Sequence, residues 1–393
     1  GISIRSPSLQ LGAEPRIIAW AFGRATKSES EFSGAVVAFR RLPSTMTSPP
    51  TSARLLELVE GMARRPVVVL ADLVADRFVT GTPKRISREA PVLILSYQGE
   101  HLTPGGGANA IANIAALGGR PLPLGVVGDD SNGRELLADL SARDIDVSGI
   151  RIRSGYRTPT KVRILGGGRH AIKQQIVRYD IEDSLELDAG DREHFRARLA
   201  EWQSEARVAV MSDYGYGAVE PSFTNELANA LGSERTVLCD SRYRISSFQG
   251  IDAATPNEEE AESLHGGPLG EGEEFNCVGE SLRSRLGARF LLVTRGSRGM
   301  SLFENGGAFH LPVHGTDQVA DVTGAGDTVI GTFALALAAG ATPLEAALLA
   351  NYAGGVVVMK MGTATLSPEE LRAAITTNPK PRDEMRLERK TRG

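Results

Sequence analysis

The sequence predicts an α/β fold in which a mostly parallel central sheet carries helices on both faces and a small antiparallel β lid projects over one edge. Three observations lead there. Short apolar runs such as VVVL at 67–70 alternate with stretches of helical spacing through most of the 393 residues. Two insertions, at 78–98 and 157–179, interrupt that rhythm with β-type alternation and no intervening helix. The glycine-bearing turn DVTGAGD at 321–327 opens a long apolar helical run, so a helix N-terminus stands where backbone can approach a ligand closely.

The bulk properties agree with one large domain plus appendages. A hydrophobic content of 41% supplies ample core, and a formal charge of −4 provides no basic footprint for nucleic acid, so the expected partner is small. Cys239 and Cys277 lack Cys-x-x-Cys or Cys/His metal spacing and read as incidental thiols. No apolar run reaches the roughly 18 residues needed to span a bilayer, so a cytoplasmic protein with no membrane partner is expected.

In chain order, residues 1–60 show no sustained periodicity and include a Ser/Thr/Pro cluster at 42–52. They predict an irregular or disordered extension, with Met46 a candidate natural start. An Arg/Ser-rich targeting peptide is the rival reading, against which Glu14, Glu29 and Glu31 argue. The core is expected over 61–377. Its strands fall at 67–70, 122–127, 208–211, 236–239, 252–254 and 290–294, and its first helices at 108–117 and 131–140. The tail at 378–393 is charged and expected to be loose.

Several segments carry candidate chemistry. Gly324, Ala325 and Gly326 leave the N–H groups of a helix start open to an anion, and Asp327 beside them can take a proton from an attacking hydroxyl. An ordinary turn with an Asp cap is the competing reading. Asp72 and Asp76 follow the first strand, at the end where open α/β sheets bind ligands. They can hydrogen-bond vicinal hydroxyls or stand as solvated charges. PGGGAN at 104–109 lets a sugar-sized ligand lie on backbone at Gly106 and Gly107, with Asn109 as donor and acceptor; a glycine hinge with an Asn cap is the alternative. In TPNEEE at 255–260, Asn257 and Glu260 face one another across a first turn and suit Mg²⁺ held through water. An acidic turn that complements the helix dipole is equally physical. The loop from Thr294 through Gly296 to Gly299 can cradle phosphates or serve as a hairpin turn.

Together these segments occur in the order and approximate spacing of the PfkB/ribokinase family of sugar kinases, which the chain resembles from about residue 67 to 371. Within it the chain looks most like the branch that phosphorylates D-glycero-D-manno-heptose 7-phosphate at the anomeric hydroxyl. RISREAPV at 85–92, residues 174–180, SDYGYG at 212–217 and NYAGGVVVMKMGTAT at 351–365 carry that likeness. The resemblance implies a ribokinase-like fold, ATP and Mg²⁺ as cofactors, and a homodimer formed through the lid. It implies Asp327 as base and Gly324 to Gly326 as anion hole. Asn257, Glu258, Glu259 and Glu260 match the segment that organises Mg²⁺ and ATP phosphates, while Thr294, Gly296, Gly299 and Asn351 line the nucleotide side. Asp72, Asp76, Gly106, Gly107 and Asn109 match sugar-facing positions, and Asp213 lies where the sugar and phosphate sites meet. Asp321 and Thr323 match a loop that in several relatives holds a monovalent cation such as K⁺.

Departures from the branch are Tyr216 in place of a lysine, Ala71 in place of a glycine, and Ile111 where a small residue is usual. The remote phosphate would then be met by Lys161, Arg163 or Arg178 of the lid. Other acceptors (fructose, ribose, a nucleoside, another phosphosugar) use the same machinery, and a non-catalytic sugar-binding protein could keep the fold. No segment with a nucleotidyltransferase-like His-x-x-His turn follows Leu371, so a fused adenylylating activity is not expected.

Overall fold

Helix α1 (Ser52–Gly61) leads into β1 (Pro66–Ala71), from which β2 (Leu73–Ile86) and β3 (Leu93–Gly106) run out and back before α2 (Gly107–Ala116). There follow β4 (Arg120–Gly128), α3 (Ser131–Ala142), β5 (Ile150–Arg153), β6 (Thr160–Gly166), β7 (Gln174–Ile181) and α4 (Ala189–Trp202). The next stretch comprises β8 (Val208–Asp213), α5 (Phe223–Leu231), β9 (Thr236–Ser241), β10 (Ala253–Ala254), α6 (Glu258–His265) and α7 (Glu273–Arg285). Then come β11 (Phe290–Thr294), β12 (Met300–Glu304), β13 (Gly307–Leu311), α8 (Ala325–Ala338), α9 (Pro343–Val357), α10 (Pro368–Thr377), α11 (Lys380–Asp383) and β14 (Arg386–Arg389). This computed structural model describes residues 49–168, 173–203, 205–305, 307–315 and 320–389.

The ten-stranded main sheet has the order β14-β13-β12-β11-β10-β9-β8-β1-β4-β5. Strands β5 through β11 in that order pair in parallel, and β12 to β14 add an antiparallel edge. Parallel strands covered on both faces need apolar residues at every position, and β1 supplies them: Val67, Val68, Val69, Leu70 and Ala71 are all fully buried. On one face Val68 and Leu70 join a cluster with Phe195, Trp202, Phe223 and Phe275 of α4, α5 and α7. The other face is covered by α2, α8 and α9. Helix α8 is buried at every residue from Asp327 to Ala336, as expected of a helix apolar all round.

The lid is a four-stranded sheet, β3-β2-β6-β7. Strand β2 pairs antiparallel with β3 and β6 with β7, but β2 and β6 are parallel, so the lid is mixed rather than wholly antiparallel. Two boundaries need correction. The irregular extension expected over 1–60 gives way to helix α1, whose Leu55, Leu58 and Val59 are buried and whose N-cap is Thr51; residues 1–48, Met46 included, lie outside the described residues. The tail expected to be loose from 378 forms α11 and then β14, which pairs with β13.

Candidate active site

From β1 the chain proceeds to β4 on one side of the sheet and to β8 on the other. Loops leaving the carboxyl ends of β1 and β8 therefore diverge, and the crevice between them is the place where such sheets accept ligands. Asp72 follows β1 and Asp213 ends β8, so both lie there.

Across the crevice stands the start of α8. Gly324, its N-cap, has φ +77°, and a Cβ there would collide with the Asn109 side-chain amide. Only glycine suits that position. A Cβ on Gly326 would meet nothing within 4 Å. Among the described residues the N–H groups of Gly326 and Asp327 find no acceptor, so the positive end of the helix faces open space. Asp327 itself is 3% exposed. Its Oδ1 accepts the Tyr214 hydroxyl at 2.7 Å and its Oδ2 accepts Asn109 Nδ2 at 3.2 Å. Burial pushes its carboxyl up to about 7, against the lowering effect of those two hydrogen bonds; the Asp76 charge raises it further and Lys161 lowers it. A carboxylate so tuned can take a proton at neutral pH.

The expected sugar-facing residues divide. Asn109 does reach Asp327, and its carbonyl and Oδ1 are held by Asn113 at 2.9 and 3.1 Å. Gly106 has φ +51°, and a Cβ on Gly107 would collide with Ala71, so both glycines allow α2 to start against β1. Asp72 is turned inward: its two oxygens accept the backbone N–H groups of Tyr214, Tyr216 and Ala218 at 2.8 to 3.0 Å. Asp213 is likewise engaged, by Arg244, by Ser241 Oγ at 2.6 Å and by Gly215 N. These two carboxylates shape the 214–218 loop instead of presenting free oxygens to a ligand. Asp76 is buried in an ion pair with Arg163, and Arg178 is paired with Asp180, so of the three lid cations expected to meet phosphate Lys161 is the one without a carboxylate partner among the described residues. Tyr216 directs its hydroxyl to Glu182 at 3.3 Å. The methyl of Ala71 and the side chain of Ile111 are fully buried, so neither departure lies on the crevice wall.

Among the residues expected to line a nucleotide, Asn257 and Glu260 form a capping box at the start of α6, each side chain bonding the other's backbone N–H at 2.9 Å. Glu258 is taken by Arg295 and Arg298, while Glu259 is exposed. Thr294 bridges to Asn257 at the end of β11. The loop bearing Gly296 (φ +54°) and Gly299 (φ +83°) closes an antiparallel hairpin between β11 and β12. Asn351 is buried and donates to the Pro312 carbonyl at 2.7 Å. Asp321 accepts from the N–H groups of Thr323 and Gly362, joining the loop before α8 to the loop after α9. Among the described residues no three His, Cys, Asp or Glu side chains gather as a metal cage would require.

Sequence reasoning missed Tyr214, Asp240 and Arg242. Burial and the charges of Glu260 and Asp327 push Asp240 well up. Arg242, exposed just beyond β9, lowers Tyr214 and Glu260 electrostatically and so faces the same space. Position at a parallel strand's carboxyl end was the available signal for both. Tyr214 had none, because its placement depends on the bond its N–H donates to Asp72.

A helix terminus open to anionic oxygen, with a proton-accepting carboxylate on its first turn, is the arrangement that a phosphotransferase acting on a hydroxyl requires. The chain belongs to the pfkB family of carbohydrate kinases, whose family model matches residues 67–370. It is 38% identical over 334 residues to the bifunctional protein HldE of Mesorhizobium japonicum, covering 84% of this chain and 65% of that protein. To the bifunctional protein HldE of Chromohalobacter salexigens it is 42% identical over 318 residues, covering 79% and 63%. The chain thus spans less than two thirds of the length of these relatives. Among solved structures it superposes on Arabidopsis thaliana ribokinase complexed with ribose and ATP with a TM-score of 0.62 at 21% identity, covering 80% of this chain and 100% of that one. The ribokinase-like fold expected from the sequence is therefore correct.

Proposed function

We propose that this chain transfers the γ-phosphoryl group of ATP to the anomeric hydroxyl of D-glycero-D-manno-heptose 7-phosphate, giving the 1,7-bisphosphate. The observation that carries the transfer chemistry is the buried Asp327 carboxylate, held up to about 7, beside the open N–H groups of Gly326 and Asp327. The acceptor oxygen forms a bond to the γ-phosphorus as the bond to the β-bridging oxygen breaks; its proton goes to Asp327 and ADP leaves. Charge on the transferring group falls on the helix N-terminus, which is preorganised and needs no rearrangement. The likeness to the heptose branch and the identity to the HldE proteins support the choice of acceptor.

The donor set beside the nucleotide side fits Mg²⁺ held through water. Asp240 and Glu260 are both raised by burial, and a cation relieves that accumulation of negative charge. When bound, Mg²⁺ would neutralise phosphate charge; Asn257 and Glu260 would hold its waters. Asp321 and Thr323 are the candidate holders of K⁺, tested by comparing activity in K⁺ and in tetramethylammonium buffers.

One observation favours a second reading, a kinase for another sugar or phosphosugar. With Arg163 and Arg178 already paired and Tyr216 bonded to Glu182, Lys161 and Arg242 are left to meet a remote phosphate. A coupled ADP assay across heptose 7-phosphate, fructose 6-phosphate, fructose, ribose and adenosine separates the two; a kcat/KM for heptose 7-phosphate no higher than for the others would overturn the first.

We infer a homodimer formed through the lid, and a cytoplasmic location. Ile86, Val92, Leu93, Tyr97, Ile176, Val177 and Tyr179 are exposed on its strands and their connections, more apolar surface than a monomer usually leaves bare. No described helix is long and apolar enough to cross a membrane. Light scattering should give a dimer, and Ile176→Asp combined with Val177→Asp should give a monomer.

A further inference from the structure

The Tyr214 hydroxyl donates to Oδ1 of Asp327, the carboxylate proposed above as the base, at 2.7 Å. Three features hold it there. Its backbone N–H donates to Asp72 Oδ2 at 2.8 Å, fixing the turn after β8. One side of the ring lies against Gly106, where a Cβ would come within 3.2 Å of Tyr214 Cε2. Over the ring stands Lys161 Nζ of lid strand β6, 5.1 Å from the centroid, within the range of a cation–π contact. The phenol thus connects a lid cation to the base across the floor of the crevice.

We propose that Tyr214 is a positioning residue that caps Asp327 until an acceptor binds, excludes water from it, and yields when that acceptor engages Lys161 and brings its own hydroxyl to the base. This rests on the kinase reading above. A bare carboxylate beside the α8 terminus would order a water there, and that water would be an attacking nucleophile toward the γ-phosphorus. The capping phenol donates its proton in a charge-assisted bond and is itself a poor nucleophile: burial and the Asp327 charge push its own ionisation far up. An acceptor carrying a phosphate draws the Lys161 ammonium off the ring and removes one of the contacts that pin it. The groups facing this pair are Asn109 on α2, Asp76 on β2, Lys161 on β6, Asp240 near the end of β9 and Arg242 just after it.

Tyr214→Phe keeps the ring, the Lys161 contact and the Asp72 bond but removes the cap. Two changes are expected. Sugar-independent ATP hydrolysis, read as ADP release without acceptor, rises at least about 5-fold. The acidic limb of kcat/KM moves up by about one pH unit, the equivalent of one lost hydrogen bond to a charged group. If either is unchanged, with the variant folded by circular dichroism, the proposal is overturned. Lys161→Met leaves the hydroxyl in place and frees the outer ring face; it is expected to raise hydrolysis by a smaller factor, and no rise would sever the link to the lid. The pH dependence of urea unfolding reads the same proton without turnover: Tyr214→Phe should extend the fall in stability about one pH unit higher. That arm stands even if no tested sugar accepts phosphate, so the kinase reading can fail without taking the cap with it.

Discussion

Replacing Asp327 by asparagine separates the cost of burying this carboxylate from its proposed use as the base. The folded protein raises this carboxyl from 3.8 to about 7, with burial the largest cause. Between those two values the folded state binds more protons than the unfolded chain, so stability falls as pH rises through that window and levels off above it. At 1.36 kcal/mol per unit the full shift amounts to about 4 kcal/mol, of which about 3 kcal/mol lies between pH 5 and pH 8.5. The asparagine amide has no such titration. It keeps the size of the side chain and can still accept from Asn109 while donating to the Tyr214 oxygen. Urea unfolding followed by circular dichroism at pH 5, 6, 7 and 8.5 should therefore show the variant gaining about 3 kcal/mol on the wild type across the series. In the same preparation turnover should fall by a factor of about 10² to 10⁴, with ATP affinity retained. A stability difference independent of pH would refute the claim that Asp327 is a destabilised, buried carboxylate, and near-normal turnover would remove it as the base.

Other outcomes follow from the same geometry. In the wild type, kcat/KM should climb with pH through about 7, because the base must be ionised; a flat profile between pH 5.5 and 8.5 would contradict the value set by burial. Gly324→Ala forces φ +77° on a residue with a Cβ aimed at Asn109, so it should cost about 1–3 kcal/mol and lower kcat more than the KM for acceptor. Asp72→Ala strands three backbone N–H groups of the 214–218 loop and should cost about 3 kcal/mol or more, seen as a lower urea midpoint.

How much of this was legible depended on whether the signal was local. Strands β1, β8, β9 and β11 announced themselves because burial on both faces demands unbroken apolar runs. The α8 start was readable from GAGD, since a positive φ and a close approach both call for glycine. The lid was visible as alternation, but the parallel pairing of β2 with β6 was not, because register between distant strands leaves no local mark. Helix α1 carried its signal in Leu55, Leu58 and Val59 at helical spacing after Thr51, masked by the Ser/Thr/Pro cluster upstream. The carboxylates were the least legible: nothing in the order of residues says that Asp72 turns toward three backbone N–H groups while Asp327 stays beside open ones.

The lid's attachment to the core has one more implication. Strand β2 leaves one residue past the end of β1, and β3 returns through Gly106 directly into α2, the helix that presents Asn109 to Asp327. The fulcrum of any lid swing therefore lies beside Asp327, at the proposed reaction centre and not at its rim. A ligand pressing on the floor of the crevice would act on the short arm of a lever whose long arm is some fourteen residues of β-ribbon, so a small displacement beside Asp327 would sweep a large one at the tip.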